Sequence, residues 1–128
     1  MEYSKMVVDT NVFIEFLRAR NKIQTTLFSI GNNEQIYVSS ITLFELYTGA
    51  TSEEKLTDIK ILTENVPVIP FNEEVAVRAA KLYQQLKGLN QMIEIRDLFI
   101  AATCLIYNFP LKTLNKKHFQ RIENLKVL

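Results

Sequence analysis

The chain has 128 residues, which is long enough for one domain with a hydrophobic core and too short for two ordinary domains. Apolar residues make up 48% of the chain, charged residues 23%, and the net charge is +1, so neither a disordered nor a fibrous protein is indicated. No apolar run approaches the roughly 20 residues needed to cross a bilayer, and the first residues lack the apolar region of a signal peptide. We therefore expect a single domain over residues 1–128, located in the cytoplasm.

Short apolar runs alternate along the chain with longer segments of helical period. This alternation is typical of a parallel sheet covered by helices on both faces, which is an α/β fold. We predict strands over residues 5–8, 36–39, 66–70, 111–113 and 126–128.

The segments between the first three predicted strands indicate helices. One helix over residues 12–17 follows the first strand, and another over residues 42–48 ends at Gly49. Ser52 is placed to cap the next helix, whose apolar residues recur at helical spacing.

Two longer helices are predicted in the second half of the chain. Asn72 is a good N-cap for a helix that ends at Gly88, with two glutamates in its first turn. The other helix, over residues 97–107, is apolar on nearly every side, which indicates that it lies in the interior or in a subunit interface. It is one reason to expect self-association as a two-fold dimer.

The single cysteine and the basic residues limit the kinds of site that the chain could carry. Cys104 alone forms neither an internal disulfide nor a thiolate metal site, so we expect it to be buried. Basic residues cluster near residue 20 and in the last part of the chain, where they either bind a phosphate backbone or form solvated surface. They are Arg18, Arg20 and Lys22, and Lys112, Lys116, Lys117, Arg121 and Lys126.

Asp9 is the first of three acids in unusual positions. It directly follows an apolar strand, at the carboxyl end where open α/β sheets bind their ligands. The alternative is that Asp9 or Thr10 only caps the following helix.

Glu45 and Asp97 are the other two acids, and both lie among apolar neighbours. Glu45 could instead complete a capping box that begins at Thr42. Asp97 could be the N-cap of its helix, with Glu94 outside it as a surface residue.

A common cause for the three placements is a shared cation. Two carboxylates about 4 Å apart repel each other by roughly 4 kcal/mol at an effective dielectric constant of about 20, so a proton or a cation must relieve the repulsion. Oxygen ligands suit Mg²⁺ or Mn²⁺, whereas zinc would favour histidines and cysteines, which the chain almost entirely lacks. Metal-assisted hydrolysis of a phosphodiester is the chemistry that follows.

Three segments of the chain resemble the motifs of the PIN-domain ribonucleases, especially the VapC-type toxins of prokaryotic toxin–antitoxin pairs. Residues 7–14, 39–49 and 96–103 are similar to the first, second and third motifs, and the catalytic acids fall on Asp9, Glu45 and Asp97. The three motifs occur in the right order at the usual spacing, so the resemblance covers almost the whole chain.

The fourth region, over residues 111–119, departs from the family pattern. Asn115 stands where relatives commonly carry Asp or Asn, and His118 stands where many carry a further Asp. The resemblance implies that Asn115 acts as a neutral ligand or orients water, and that Glu94 is an outer acid. We expect His118 to contact phosphate or to lie on the surface, and Thr10, Asn11 and Thr113 complete the candidate set.

The resemblance implies a three-layer α/β/α sandwich with a parallel sheet of four to five strands in the order 3-2-1-4-5. It implies a homodimer, Mg²⁺ or Mn²⁺ as the cofactor, and structured RNA, either transfer or ribosomal RNA, as the substrate. It further implies a VapB-type antitoxin as partner, with a C-terminal segment that covers the acidic cleft.

Three other functions are compatible with an α/β chain of this length. A response-regulator receiver domain would need an Asp at the end of the third strand, where residues 68–71 carry none. A haloacid-dehalogenase phosphatase would need a second Asp at the position of Asn11. A PIN fold that binds RNA or a partner without cutting remains open, because the fourth acidic position is incomplete.

Overall fold

The computed structural model describes residues 4–128, which form an α/β fold with a four-stranded sheet. The strands are β1 (Ser4–Val8), β2 (Glu34–Ser39), β3 (Val68–Ile69) and β4 (Leu111–Lys112). The α-helices are α1 (Thr10–Arg18), α2 (Thr26–Ser29), α3 (Ser40–Thr48), α4 (Glu53–Thr63), α5 (Glu73–Gly88), α6 (Ile95–Tyr107) and α7 (Lys116–Gln120). A short 3-10 helix over Lys22–Gln24 precedes α2.

The sheet is parallel in the order β3-β2-β1-β4, which confirms the predicted α/β class and strand order. β1 lies in the middle, with Met6 beside Ile36 of β2 and Val7 beside Leu111 of β4. The predicted fifth strand is reduced to one parallel bridge between Val127 and Leu111, on the outer side of β4.

β3 is shorter than predicted because prolines bound it. Pro67 and Pro70 flank its two residues, and a proline has no backbone N–H to add to the sheet. The carbonyl of Pro67 still accepts a hydrogen bond of 3.0 Å from the backbone N–H of Val38.

Residues of β1 alternate between two hydrophobic cores, one on each face of the sheet. Val7 packs in the core that α5 and α6 cover, with Leu82 and Leu98. Met6 and Val8 face the other core, which α1 and α4 cover. The sheet is therefore the middle layer of three, as predicted.

The helix ends show which of the predicted helix caps are correct. Ser52 and Asn72 cap α4 and α5 as predicted, each accepting a hydrogen bond from a backbone N–H of the first turn. The capping box at Thr42 was wrong, because Ser39 caps α3 and accepts from the backbone N–H of Thr42 at 3.1 Å. Asp97 is also not an N-cap, since α6 begins at Ile95 and Glu94 occupies the cap position.

Cys104 is buried in α6, as predicted, and burial raises the pKa of its thiol. Among residues 4–128, no helix is both long enough and apolar enough to cross a membrane.

Candidate metal and catalytic site

Polar side chains gather at the carboxyl edge of the sheet. Asp9 directly follows β1, Ser39 ends β2, and Thr113 directly follows β4. Because these three strands are parallel neighbours, their carboxyl ends meet at one edge, where α/β proteins bind ligands. Glu45 and Asp97 reach the same region from α3 and α6.

Asp9 is buried and held on both carboxylate oxygens. Its Oδ1 accepts from the backbone N–H of Thr10 at 2.8 Å, and its Oδ2 accepts from the Thr113 hydroxyl at 2.7 Å. Its own backbone N–H donates to the carbonyl of Lys112 at 2.9 Å. Asp9 therefore caps α1 and faces the carboxyl edge, so the two alternatives for this residue are compatible.

The pKa of Asp9 is raised to about 6, mainly by burial and to a smaller extent by the negative charges of Asp97 and Glu45. The hydrogen bonds from Thr113 and from the backbone N–H of Thr10 act in the opposite direction. The charges of both Asp97 and Glu45 therefore reach Asp9, which places the three carboxylates in one region.

Glu45 lies in the middle of α3 with both carboxylate oxygens occupied. Oε1 accepts from the Thr10 hydroxyl at 2.7 Å, and Oε2 lies 3.1 Å from Nη1 of Arg96. The hydroxyl oxygens of Thr10 and Thr42 are 2.9 Å apart. Because Thr10 uses its one hydrogen on Glu45, Thr42 must donate to Thr10.

Asp97 lies in the first turn of α6 with its side chain 16% exposed. Burial raises the pKa of Asp97, and Glu94 raises it further, while Arg96 and His118 lower it. Nδ1 of His118 lies 3.7 Å from Oδ2 of Asp97.

The fourth region approaches the acids through His118. Nδ2 of Asn115 lies 2.7 Å from Nδ1 of His118, the same ring nitrogen that faces Asp97. The backbone N–H of Asn115 donates to the Thr113 hydroxyl at 3.0 Å, so Thr113 links the fourth region to Asp9. The side chain of His118 is half exposed, and its ring faces Asp97 as well as solvent.

Asn11 and Glu94 support the surrounding structure. Oδ1 of Asn11 accepts from the backbone N–H of Leu114 at 3.3 Å, which ties α1 to the segment after β4. Glu94 forms an ion pair of 2.8 Å with Nη2 of Arg96 and is largely exposed.

The donors at this edge fit a hard divalent cation. Within residues 4–128, no group of three or more Asp, Glu, His or Cys side chains is arranged to hold a metal ion. Mg²⁺ needs no such group, because it commonly binds through one or two carboxylates and keeps several waters. Asp9 and Asp97 offer that donor set, and a cation would relieve the repulsion that raises the pKa of Asp9.

A PIN-domain family profile matches residues 6–125. The chain belongs to the PIN-domain family. Ribonuclease VapC1 of Methanocaldococcus jannaschii is 34% identical to this PIN domain over 122 residues, which cover 95% of the chain and 84% of that protein. Ribonuclease VapC of Rickettsia bellii is 38% identical, and the alignment covers 96% of the chain and 94% of that protein.

A solved structure agrees with these sequence relatives. VapBC-1 from nontypeable Haemophilus influenzae superposes with a TM-score of 0.82 at 34% identity, covering 97% of this chain and 96% of that one. The resemblance seen in the three motifs is thus confirmed.

Arg96 is a site residue of this PIN domain that sequence reasoning missed. It directly precedes Asp97 in the third motif and pairs with Glu45 and Glu94. An arginine beside a candidate metal acid was the available signal, but nothing in the local sequence shows that Arg96 reaches Glu45 on α3.

Proposed function

We propose that this PIN domain is a metal-dependent endoribonuclease that acts as the VapC-type toxin of a toxin–antitoxin pair. The observation that carries the proposal is the electrostatic coupling of Asp9 to Asp97 and Glu45 at the carboxyl edge of the sheet. The names of its relatives support the same class of reaction, since the M. jannaschii and R. bellii proteins are both ribonucleases. The proposed domain spans residues 1–128.

Asp9 and Asp97 are the side chains proposed to hold Mg²⁺ or Mn²⁺. Such an ion lowers the pKa of a coordinated water and neutralises charge that develops on phosphate oxygens. Thr113 fixes one carboxylate oxygen of Asp9 by its hydrogen bond, and the backbone N–H of Thr10 fixes the other. Glu45, held by Thr10 and Arg96, is placed to orient water or substrate.

Asn115 and His118 are the proposed contacts on the other side of Asp97. Their side chains pair at 2.7 Å, so each limits the orientation of the other. In this arrangement Asn115 supplies a neutral amide where a carboxylate is common in the family, and His118 faces a phosphate oxygen or water near Asp97.

Structured RNA, such as transfer or ribosomal RNA, is the proposed substrate class. An open cleft of about 450 Å³ lies next to the acidic edge and is lined by Lys112, Lys116, Lys117 and Thr113. Three lysines beside a catalytic edge suit a polyanionic backbone, because charge attraction supplies most of the sequence-independent affinity for nucleic acids.

A VapB-type antitoxin is the proposed partner, as in the H. influenzae VapBC-1 complex. A cleft of about 390 Å³ beside the acids has apolar walls from Ile14, Phe44 and Phe99 and a polar end at Glu45 and Arg96. An apolar peptide segment would match the walls, and a charged side chain that pairs with Glu45 or Arg96 would match the polar end.

The alternative is a PIN fold that binds RNA or a partner without cutting. It is favoured by one observation, which is that the fourth region contributes Asn115 and His118 instead of carboxylates. A nuclease assay separates the two functions.

The assay measures cleavage of a mixed transfer and ribosomal RNA pool with Mg²⁺ or Mn²⁺, and with EDTA. We expect metal-dependent cleavage by the parent chain and at least a hundredfold loss in Asp9→Asn, in the range that loss of one electrostatic group costs. Asp58→Asn is the matched control, because Asp58 lies on α4 and is exposed. Equal cleavage by the parent chain and Asp9→Asn, or none by either, would contradict the proposed activity.

A further inference from the structure

Arg96 joins two carboxylates across two elements of the fold. Its Nη1 lies 3.1 Å from Oε2 of Glu45 on α3, and its Nη2 lies 2.8 Å from Oε2 of Glu94 at the start of α6. A guanidinium presents its donors in a fixed fork, so each arm serves one carboxylate.

The pairing engages both carboxylate oxygens of Glu45, one of them with a positive charge. Thr10 donates to Oε1 at 2.7 Å, while Arg96 occupies Oε2. Glu45 is only 16% exposed, so its carboxylate has little access to water that could replace either partner. In this state its negative charge is neutralised by Arg96 and is not offered to a cation.

The described residues contain no three-acid metal group, although the acids are near one another. Asp9 senses the charges of both Asp97 and Glu45. The three side chains are nevertheless not arranged to hold one ion. Of the three, Glu45 is the one whose carboxylate pairs with the Arg96 guanidinium.

We propose that Arg96 is a positioning residue that competes with the divalent cation for Glu45. It keeps Glu45 outside the innermost ligand set, so that Asp9 and Asp97 alone hold the ion directly. The proposal deepens the proposed function and rests on it, because it assumes a metal at this edge of the sheet.

Exposure makes the competition reversible. The Arg96 side chain is 57% exposed, and its second anchor, Glu94, is 59% exposed. Ion pairs with exposed members are weak and screened by salt, so Arg96 holds Glu45 by a modest free energy that one substitution can remove.

The test is a double-mutant cycle on Mn²⁺ affinity, measured by calorimetric titration of the parent chain, Arg96→Gln, Glu45→Gln and the double variant. We expect Arg96→Gln to tighten Mn²⁺ binding by roughly tenfold, because a freed carboxylate joins the ligands. In the Glu45→Gln background the same change should alter affinity by less than about threefold, since only the screened charge of Arg96 is then removed.

Two controls separate positioning from net charge and from fold. Arg78→Gln removes the same charge beside Ile106, at the far end of α6 and about 15 Å along the helix from Arg96. It should leave Mn²⁺ affinity unchanged. Arg96→Lys keeps the charge but lacks the planar fork that serves one carboxylate with each arm, so its affinity should lie between those of the parent chain and Arg96→Gln.

Equal tightening by Arg96→Gln in both backgrounds would overturn the proposal, because the effect would then be one of charge alone. No tightening in either background would overturn it as well. Absence of Mn²⁺ binding in all four proteins would overturn the proposed function and this inference with it, so the two failures are distinguishable.

Discussion

Asp9 joins local structure to chemistry through a single side chain. It caps α1 through the backbone N–H of Thr10 and accepts from Thr113, which follows β4. These contacts hold a carboxylate that burial would otherwise disfavour, and they only partly offset the rise in its pKa. The ionised form of Asp9 therefore lowers the stability of the metal-free protein, and a bound cation would offset this loss.

The first prediction concerns the stability of the metal-free protein between pH 4 and 6. The pKa of Asp9 is raised from 3.8 to about 6, so the folded state holds this proton more tightly than the unfolded state. Its effect on stability is most favourable below the unfolded pKa and falls as pH rises to the folded value. Over this pH range the ionisation of Asp9 lowers the free energy of unfolding by at most about 3 kcal/mol.

Chemical denaturation of the parent chain and Asp9→Asn in EDTA measures this effect. Asn cannot ionise, so Asp9→Asn should gain stability relative to the parent chain as pH rises from 4 to 6, and the gap should then stay level. Carboxylates far from Asp9 titrate alike in both proteins and cancel in the difference. A gap that does not change with pH would show that the Asp9 pKa is ordinary.

The second prediction concerns Asn115, whose side chain reaches Asp97 through His118. Asn115→Asp adds a carboxylate beside the acids, so it should tighten Mn²⁺ binding and lower the melting temperature of the metal-free protein. Calorimetric titration and thermal melting in EDTA measure the two effects. Asn33→Asp is the matched control, because Asn33 lies at the opposite, amino edge of the sheet. If neither quantity changes in Asn115→Asp, Asn115 is not close to the metal.

At the scale of elements, α3 carries Glu45 and is anchored by Ser39. The Ser39 hydroxyl accepts from the backbone N–H of Thr42, and it lies 3.4 Å from the Thr42 hydroxyl. Thr42 then donates to Thr10, which donates to Glu45. The cap of this helix is therefore connected to the candidate site by a chain of hydroxyl groups.

The third prediction compares two serine caps. Ser39→Ala leaves a buried backbone N–H without its acceptor, so it should lower the free energy of unfolding by about 2 kcal/mol. Ser52→Ala removes the same type of cap from α4, where the freed N–H of Lys55 is exposed to water, and should cost about 1 kcal/mol or less. Urea denaturation measures both. A larger loss in Ser52→Ala than in Ser39→Ala would contradict the importance of burial at Ser39.

Element types were predictable wherever the signal was local. The caps at Ser52 and Asn72 and the stop at Gly49 follow from residue types at the helix ends, and the structure has each of them. The predicted capping box at Thr42 has the right residue spacing, but Ser39, which ends β2 three residues earlier, caps α3 instead. Short helices α2 and α7 were missed, because four or five residues carry too little periodicity to be recognised.

The sequence predicted the acids of the candidate site but not Arg96, the basic residue that pairs with one of them. Asp9, Glu45 and Asp97 were each marked as an acid among apolar residues, and the charges of Glu45 and Asp97 both act on Asp9. The ion pair between Arg96 and Glu45 joins helices about 50 residues apart in sequence, and no local pattern encodes it. Their proposed roles in catalysis remain predictions for the assays above.

At the scale of the whole molecule, the sheet order depended on the family resemblance. Periodicity indicated a parallel sheet but could not order its strands, whereas the PIN-domain resemblance supplied the order 3-2-1-4-5, of which the structure has 3-2-1-4. The predicted fifth strand is present only as the bridge at Val127, because the last residues make just two backbone hydrogen bonds with Leu111.

Self-association is the remaining prediction. The structure supports it through exposed apolar side chains on several helices rather than through α6. The apolar helix α6 was expected to need a partner subunit, but α5 and the sheet cover most of its apolar residues within the chain. Large apolar side chains on other helices remain exposed, with Phe44 at 68%. They include Tyr47, Ile61, Val77 and Tyr83.

Burial of some of these side chains between two copies would lower the free energy of association by about 25 cal/mol for each Å² of apolar surface removed from water. We therefore expect a two-fold dimer, with twice the 14.9 kDa mass of one chain, in sedimentation equilibrium at micromolar concentration. Because the contact would be mainly apolar, sulfate should strengthen it, whereas moderate sodium chloride should have little effect. A single 14.9 kDa species across the concentration range would contradict the dimer, and dissociation by moderate sodium chloride would show that charges rather than apolar surface hold the two copies together.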